Sequence, residues 1–333
     1  MPDDDLTLID SYGRVIRKLR LSIIDKCNFR CNFCMPDEPE WLPNEAVLSP
    51  VEISRVVGIL ADLGVDRVRV TGGEPLVRKD VVELVRSLSQ IPKLKRLGMT
   101  SNGYFLAEKA RDLKDAGLYS ITVSLHSLKA ARFFGITKRD AYSKVLSGIR
   151  AAKEAGFESV KLNTVIIRGY NDDEILDFAH AARHDGLIVR FIEYMPFDGK
   201  RMWEESKVVT GSEILSTISA KFDVVPLERE AGSTSVNYRF ADGDGEFGII
   251  TSISKPFCGD CDRIRMTADG KLVPCLFSNQ QFDVAALLRA DSSDSEIRDF
   301  FKKSLKLKSP GVEHLIKQNL ALHHVRPMYV TGG

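Results

Sequence analysis

Long apolar runs are missing from this chain. Stretches such as Val56 to Leu63 are interrupted by Gly58 and Asp62, and none approaches the roughly 20 residues a membrane-spanning helix needs. The N-terminus, Met1-Pro2-Asp3-Asp4-Asp5, is acidic and lacks the apolar centre of a signal peptide. Net charge is scarce too. At +1 over 333 residues, the molecule as a whole carries no electrostatic footprint for nucleic acid, so any anion site must be a local cluster of basic residues. There is no low-complexity linker and no repeat at solenoid period. Neither a membrane nor a nucleic acid is therefore expected as a partner, and the expected location is the cytoplasm, where thiols stay reduced. What remains is an ordinary globular composition, 44% hydrophobic and 28% charged. The chain is long enough for two domains or one large barrel with an appendage.

The cysteines are few and none is spare. Cys27, Cys31 and Cys34 form a C-x3-C-x2-C triplet, and Cys258, Cys261 and Cys275 form C-x2-C-x13-C. A chain of this size without a secretion signal favours metal binding over disulfides. The number three is informative, because a closed structural zinc or iron–sulfur site wants four protein ligands. Three thiolates on a four-iron cluster leave one iron open to a small molecule. Of the six histidines, none lies near Cys27, which weakens a zinc reading of the first triplet. For the second triplet two readings stand. One is a cluster, and the other is a zinc knuckle completed by His323 or His324.

Strand-like and helix-like patterns alternate from residue 18 to 193. Strands are expected at 18–24, 66–71, 95–101, 119–125, 159–166 and 187–193. Helices are expected at 50–63, 80–90, 105–116, 142–155 and 173–185. Such alternation implies a parallel sheet with helical crossovers. Six units fall short of the eight of a full barrel, so the expected fold is α/β, an incomplete (βα)6 TIM-type barrel. Its active site belongs at the C-terminal strand ends, and the first cysteine loop follows strand one. After about residue 195 the pattern changes to short strands at 236–240, 246–253, 263–267 and 271–276. Helices are expected at 281–290 and 294–305. The expected division is a partial barrel over 1–195 and a C-terminal region over 196–333 that covers its open side.

Cys27-Asn28-Phe29-Arg30-Cys31-Asn32-Phe33-Cys34-Met35-Pro36, together with Thr71-Gly72-Gly73-Glu74-Pro75 at the end of strand two, resembles the signature of radical S-adenosylmethionine (SAM) enzymes. The likeness narrows with Leu19-Arg20-Leu21-Ser22, Thr100-Ser101-Asn102-Gly103, Ser124-Leu125, Phe191-Ile192-Glu193-Tyr194-Met195, Arg263-Ile264-Arg265 after Cys261, and the terminal Gly332-Gly333. Over nearly the whole chain it resembles the GTP 3′,8-cyclase family of molybdenum-cofactor biosynthesis. The resemblance implies two 4Fe-4S clusters, with Cys27, Cys31 and Cys34 holding the one that binds SAM. Cys258, Cys261 and Cys275 would hold an auxiliary cluster that meets the guanine end of GTP. It implies SAM contacts at Phe33, Gly73, Ser124 and Met195. It implies GTP contacts at Arg20, Arg69, Thr100, Lys161, Arg263, Ile264 and Arg265. Gly332, Gly333, Arg263 and Arg265 are the implied catalytic residues. The sequence departs from the family pattern at Phe33, where Tyr is common, and at His126, where Asp is usual. A flavodoxin or ferredoxin is the implied electron donor. A homodimer and handover to the next pathway enzyme, a pyranopterin synthase, are compatible with the resemblance.

The residue types suit that chemistry. Taking hydrogen from an unactivated ribose carbon is beyond side-chain acids and bases and needs a cofactor-borne radical. A triphosphate needs Arg and Lys at strand ends, and Arg263 and Arg265 alternate onto one face of a strand. Each residue also has a plainer reading. Exposed arginines are usually solvated, paired glycines mark turns, Met195 suits core packing and terminal glycines fray. Two other functions compete. A peptide-maturing radical SAM enzyme would usually carry more C-terminal cysteines. A non-catalytic iron–sulfur or zinc module would have complete ligation and would not need the glycine motif.

Overall fold

The computed structural model describes residues 7–197, 203–312 and 326–332. Six parallel strands form its centre: β1 (Lys18–Ser22), β2 (Arg67–Thr71), β3 (Arg96–Ser101), β4 (Ser120–Ser124), β5 (Ser159–Ile166) and β6 (Ile188–Glu193). Between them run α1 (Pro50–Asp62), α2 (Val81–Ser89), α3 (Leu106–Asp115), α4 (Ala130–Thr137), α5 (Tyr142–Glu154) and α6 (Ile175–His184). The start of α1 is written in the sequence. Ser49 and Glu52 form a reciprocal capping box, and Pro50 occupies the first helical position. Helix α4 was not anticipated; its eight residues supply too little periodic pattern to stand out.

Alternation along each strand separates two environments. Leu19, Leu21, Val68, Val70, Met99, Ile121, Val123, Leu162, Val189 and Phe191 are buried under the helices. The intervening positions, Lys18, Arg20, Arg67, Arg69, Thr100, Thr122, Lys161, Asn163 and Arg190, lie on the opposite, concave face. The concave face is thus polar and strongly cationic.

The C-terminal region extends the same sheet from both edges. It contributes α7 (Gly211–Ser219), β7 (Val224–Pro226), β8 (Val236–Phe240), β9 (Glu246–Ile250), β10 (Arg263–Met266), β11 (Lys271–Val273), β12 (Phe282–Asp283), α8 (Val284–Arg289) and α9 (Asp294–Leu305). Strand β9 lies parallel beside β6, and β10 lies parallel beside β1. The result is one twelve-stranded sheet in the order β12-β11-β10-β1-β2-β3-β4-β5-β6-β9-β8-β7. The barrel is not closed, as six units require.

Glu193, at the end of β6, joins the two halves. Its buried carboxylate accepts from the Gly211 and Ile253 amides at 2.7 and 2.8 Å, and from the Ser254 amide at 2.8 Å and the Ser254 hydroxyl. That fixes the segment leading into Cys258.

Candidate active site

The first cysteine loop leaves β1 and is pinned from two sides. Arg30 and Asn32 donate backbone N–H bonds to the carbonyls of Thr137 (2.9 Å) and Ile136 (3.1 Å) at the end of α4. On the other side, Gly73 and Glu74 donate to Ile24 (2.7 Å) and Lys26 (2.9 Å). A Cβ at Gly73 would lie 2.2 Å from the Asp25 carbonyl oxygen, so only glycine lets these two loops touch. The Glu74 carboxylate accepts from Ser101 Oγ (2.8 Å), the Asn102 amide (2.6 Å) and the Leu76 amide (3.0 Å). Burial nevertheless raises its pKa to about 7. Asn102 is more than a turn residue, since its amide reaches Cys27 Sγ at 3.8 Å and Asn28 Oδ1 at 2.8 Å. Burial pushes the Cys27 and Cys34 thiols up to about 12, and Cys31 also rises. A metal bound by these thiols would therefore have to drive off those protons.

The predicted SAM contacts converge. Phe33, Gly73, Ser124 and Met195 line one cavity with Cys27, Cys31 and Cys34. His126 joins them, edge-on to Phe33 at 4.6 Å between ring centres. Its Nδ1 accepts from the Val165 amide at 3.1 Å, and burial lowers its pKa to about 4, so it is a neutral imidazole. Asn163 lines the same cavity, and its buried Oδ1 lacks a partner among the described residues. The sequence reading did not single it out.

Cys258, Cys261 and Cys275 line the same cavity. Cys258 and Cys261 precede β10, which runs parallel to β1, whereas the first loop follows β1, so the two loops lie at opposite strand ends. All six cysteines are free thiols. Burial raises Cys275. For Cys261 burial also pushes upward, but the Arg263 guanidinium and Lys308 ammonium outweigh it and the thiol falls below its usual value. All three cysteines of each triplet line the one cavity. That donor set fits a cluster whose remaining position faces a small ligand. His323 and His324, the candidate zinc ligands, lie outside the described residues.

Cations fill the space between the triplets. Arg265, Arg20 and Arg69 occupy one register row across β10, β1 and β2. Arg20, Arg190, Arg263 and Arg265 line the cavity with Thr100. Burial lowers Arg20 to about 9, helped by Arg69, Arg263 and Arg190. Burial, then Arg190, lowers Arg69 to about 10, and burial lowers Arg190 to about 10. Lys161 falls to about 8 through burial, Arg190, Arg69 and Arg96. Like charges held together out of water are costly until an anion joins them.

Arg69 and Lys161 stand off the cavity wall. Arg69 donates to Thr122 Oγ1 at 3.1 Å and the Met99 carbonyl at 3.3 Å, and Gly98 makes room for it, since a Cβ there would lie 3.2 Å from Nη2. Ile264 has its side chain in the core on the far face, as alternation with Arg263 and Arg265 demands, so only its backbone is available to a ligand. Arg190 was missed, although its place two residues from Ile188 and Ile192 puts it on the concave face. At the C-terminus, Arg265 donates to the carbonyls of Thr331 (3.3 Å) and Gly332. Gly332 has φ +77°, and a Cβ would meet Thr71 Cγ2 at 2.3 Å. Gly333 lies outside the described residues.

Comparison with known proteins covers most of the chain. The Radical SAM superfamily matches residues 21–182, and the family described as Molybdenum Cofactor Synthesis C matches residues 187–314. A GTP 3′,8-cyclase of Aquifex aeolicus is 44% identical over 89% of this chain and 92% of its own. This chain belongs to the GTP 3′,8-cyclase family. Another member, from Mycolicibacterium smegmatis, is 40% identical over 99% of this chain and 92% of its own. GTP 3′,8-cyclase 2 of Pseudomonas aeruginosa is 41% identical over 99% of both. Among solved structures, SuiB of Streptococcus suis bound to S-adenosylmethionine aligns with a TM-score of 0.61 over 96% of this chain and 78% of its own. At 13% identity that likeness shows the fold alone. Among the described residues, no helix is long and apolar enough to cross a membrane.

Proposed function

We infer that this chain converts GTP to 3′,8-cyclo-7,8-dihydro-GTP, the first step of molybdenum-cofactor biosynthesis. The observation that carries the reading is the cationic chamber between two cysteine triplets. Family membership names the reaction, and the chamber offers what the reaction requires.

Cys27, Cys31 and Cys34 would hold one 4Fe-4S cluster, and Phe33, Gly73, Ser124 and Met195 would hold SAM beside it. Cys258, Cys261 and Cys275 would hold the second, at the guanine end of GTP. When bound, the first cluster with SAM supplies a radical able to take hydrogen from an unactivated ribose carbon. The residues of this chain do the rest. Arg20, Arg190, Arg263 and Arg265 bind the triphosphate, and forked guanidinium groups match phosphate oxygens two at a time. Arg69 and Lys161 add charge from one step away. Thr100, which lines the same cavity, would contact GTP there. The cyclisation joins ribose C3′ to guanine C8, so both must be held in register against the SAM side while water stays out. Neutral His126 and the unpartnered Asn163 carbonyl offer polar contacts to SAM without adding charge. Arg265 holds the terminal backbone at Gly332 against Thr71, which would bring Gly332 and Gly333 to the reacting centre.

The barrel residues 1–195 thus serve SAM and part of the triphosphate site, and residues 196–333 serve the second cluster and the rest of that site. The six free thiols suit a reducing, cytoplasmic setting, with electrons from a flavodoxin or ferredoxin.

The test is anaerobic reconstitution with iron and sulfide, then SAM, a strong reductant and GTP. 5′-Deoxyadenosine should form in step with GTP loss. Deoxyadenosine formed regardless of GTP would overturn the substrate. No SAM cleavage in cluster-loaded protein would overturn the enzyme.

A further inference from the structure

Behind the second triplet lies a buried charge cluster that the reaction above does not use. Lys308 follows α9, and its side chain is 1% exposed. Its ammonium donates to the carbonyls of Cys261 (3.1 Å) and Arg263 (2.9 Å), and stands 3.9 Å from Cys261 Sγ. Its counter-ion is Asp10, at 3.8 Å and fully buried. Asp10 belongs to a hairpin closed by the Ile9–Val15 bridge and also grips Arg14 at 2.6 Å. Arg14 in turn donates to the carbonyls of Cys258 (2.8 Å), Pro310 (3.0 Å) and Ser309 (2.9 Å). The N-terminal hairpin, the residues after α9 and the second cysteine loop are thus locked by one set of charges.

A lysine sealed from water is costly unless its charge is matched and its donors are satisfied. Here the donors are spent on the backbone and sulfur of one cysteine loop. The first triplet is built differently. Cys27 Sγ receives the neutral donors of the Phe29 amide (3.4 Å) and the Asn102 side chain (3.8 Å). Charge and hydrogen bonding at ligand sulfurs are main determinants of a cluster's potential. A cation there favours the state carrying the extra electron.

We propose that Lys308 is a positioning residue for the second cluster: held by Asp10, it fixes the Cys258–Cys261 loop and sets a positive charge against the Cys261 sulfur that favours the reduced cluster. This rests on the reading that Cys258, Cys261 and Cys275 hold a cluster.

The experiment uses the full chain, reconstituted anaerobically, with Cys27, Cys31 and Cys34 changed to Ala so that only the second cluster is seen. Redox titration followed by electron paramagnetic resonance gives its midpoint potential. Lys308→Met should move that potential negative, and Lys308→Arg should hold it near the parent value. Asp10→Asn, which leaves the lysine in place and removes its counter-ion, should move it positive. An unshifted potential in cluster-loaded Lys308→Met overturns the proposal. Where Lys308→Met does not load, an unshifted or negative-going Asp10→Asn overturns it instead. A parent variant that retains no iron overturns the second-cluster reading itself, and the proposal with it.

Discussion

Replacing Arg20 with methionine should strengthen the ligand-free protein and weaken its grip on GTP. Arg20 lies on β1 with Arg69, Arg190 and Arg263 around it. Burial, then those neighbours, lower its pKa from the ordinary arginine value to about 9. At pH 7 the group is charged in both the folded and unfolded states. The whole depression therefore counts against folding, on the order of 5 kcal/mol at most. The penalty stands below pH 9 and is relieved only as pH climbs from 9 toward the ordinary arginine value. Arg20 is half-buried and faces the cavity, so cavity water screens part of that cost. Methionine keeps an apolar stem but loses some packing. A net gain of about 1–2 kcal/mol is expected, a rise of a few degrees in melting temperature for a chain of this size. GTP then loses charge-assisted hydrogen bonds, and its affinity should fall roughly ten- to a hundredfold. The assay is an anaerobic melt without nucleotide, paired with equilibrium GTP binding in the absence of SAM. A lower melting temperature with unchanged GTP affinity would show that Arg20 is a structural residue and refute the reasoning.

Other consequences are open to test. Removing Gly332 and Gly333 should abolish turnover while leaving the melting temperature unchanged; surviving activity would place the terminus outside the site. Glu74, whose pKa rises from 4.5 to about 7 on folding, binds a proton in the folded state before the unfolded one. Stability should thus fall as pH rises from 4.5 to 7, and Glu74→Gln should flatten that slope in melts at matched cluster loading. Glu193→Ala strands the Gly211, Ile253 and Ser254 donors, which should cost about 3–5 kcal/mol in chemical denaturation. A loss well under 1 kcal/mol would count against Glu193 as the joint between the two halves.

Much of this was legible in the residues. Period-two strands alternating with amphipathic helices gave the six parallel units, and boundaries such as 159–166 match β5 residue for residue. The triplets and glycine motif announced the chemistry because their spacing is unusual. The rest failed for physical reasons. Strands β7 and β12 span three and two residues, too short to show a period. The pairing of β10 with β1 joins Arg263 to Lys18, and nothing local encodes a partner so distant. Arg190 went unnoticed because 187–193 read as an apolar strand, when alternation should have marked its face. Ile264 travelled with its arginine neighbours, although the same alternation sends its side chain into the core. Lys308 has no motif at all, and only its contacts reveal it.

The central claim is that the chamber holds GTP with its ribose against the SAM side. Supplying GTP deuterated at C3′ to reconstituted enzyme, and measuring the 5′-deoxyadenosine by mass spectrometry, tests it most directly. Deuterium in the deoxyadenosine is the predicted result. Deoxyadenosine formed in step with GTP loss but free of deuterium would contradict it.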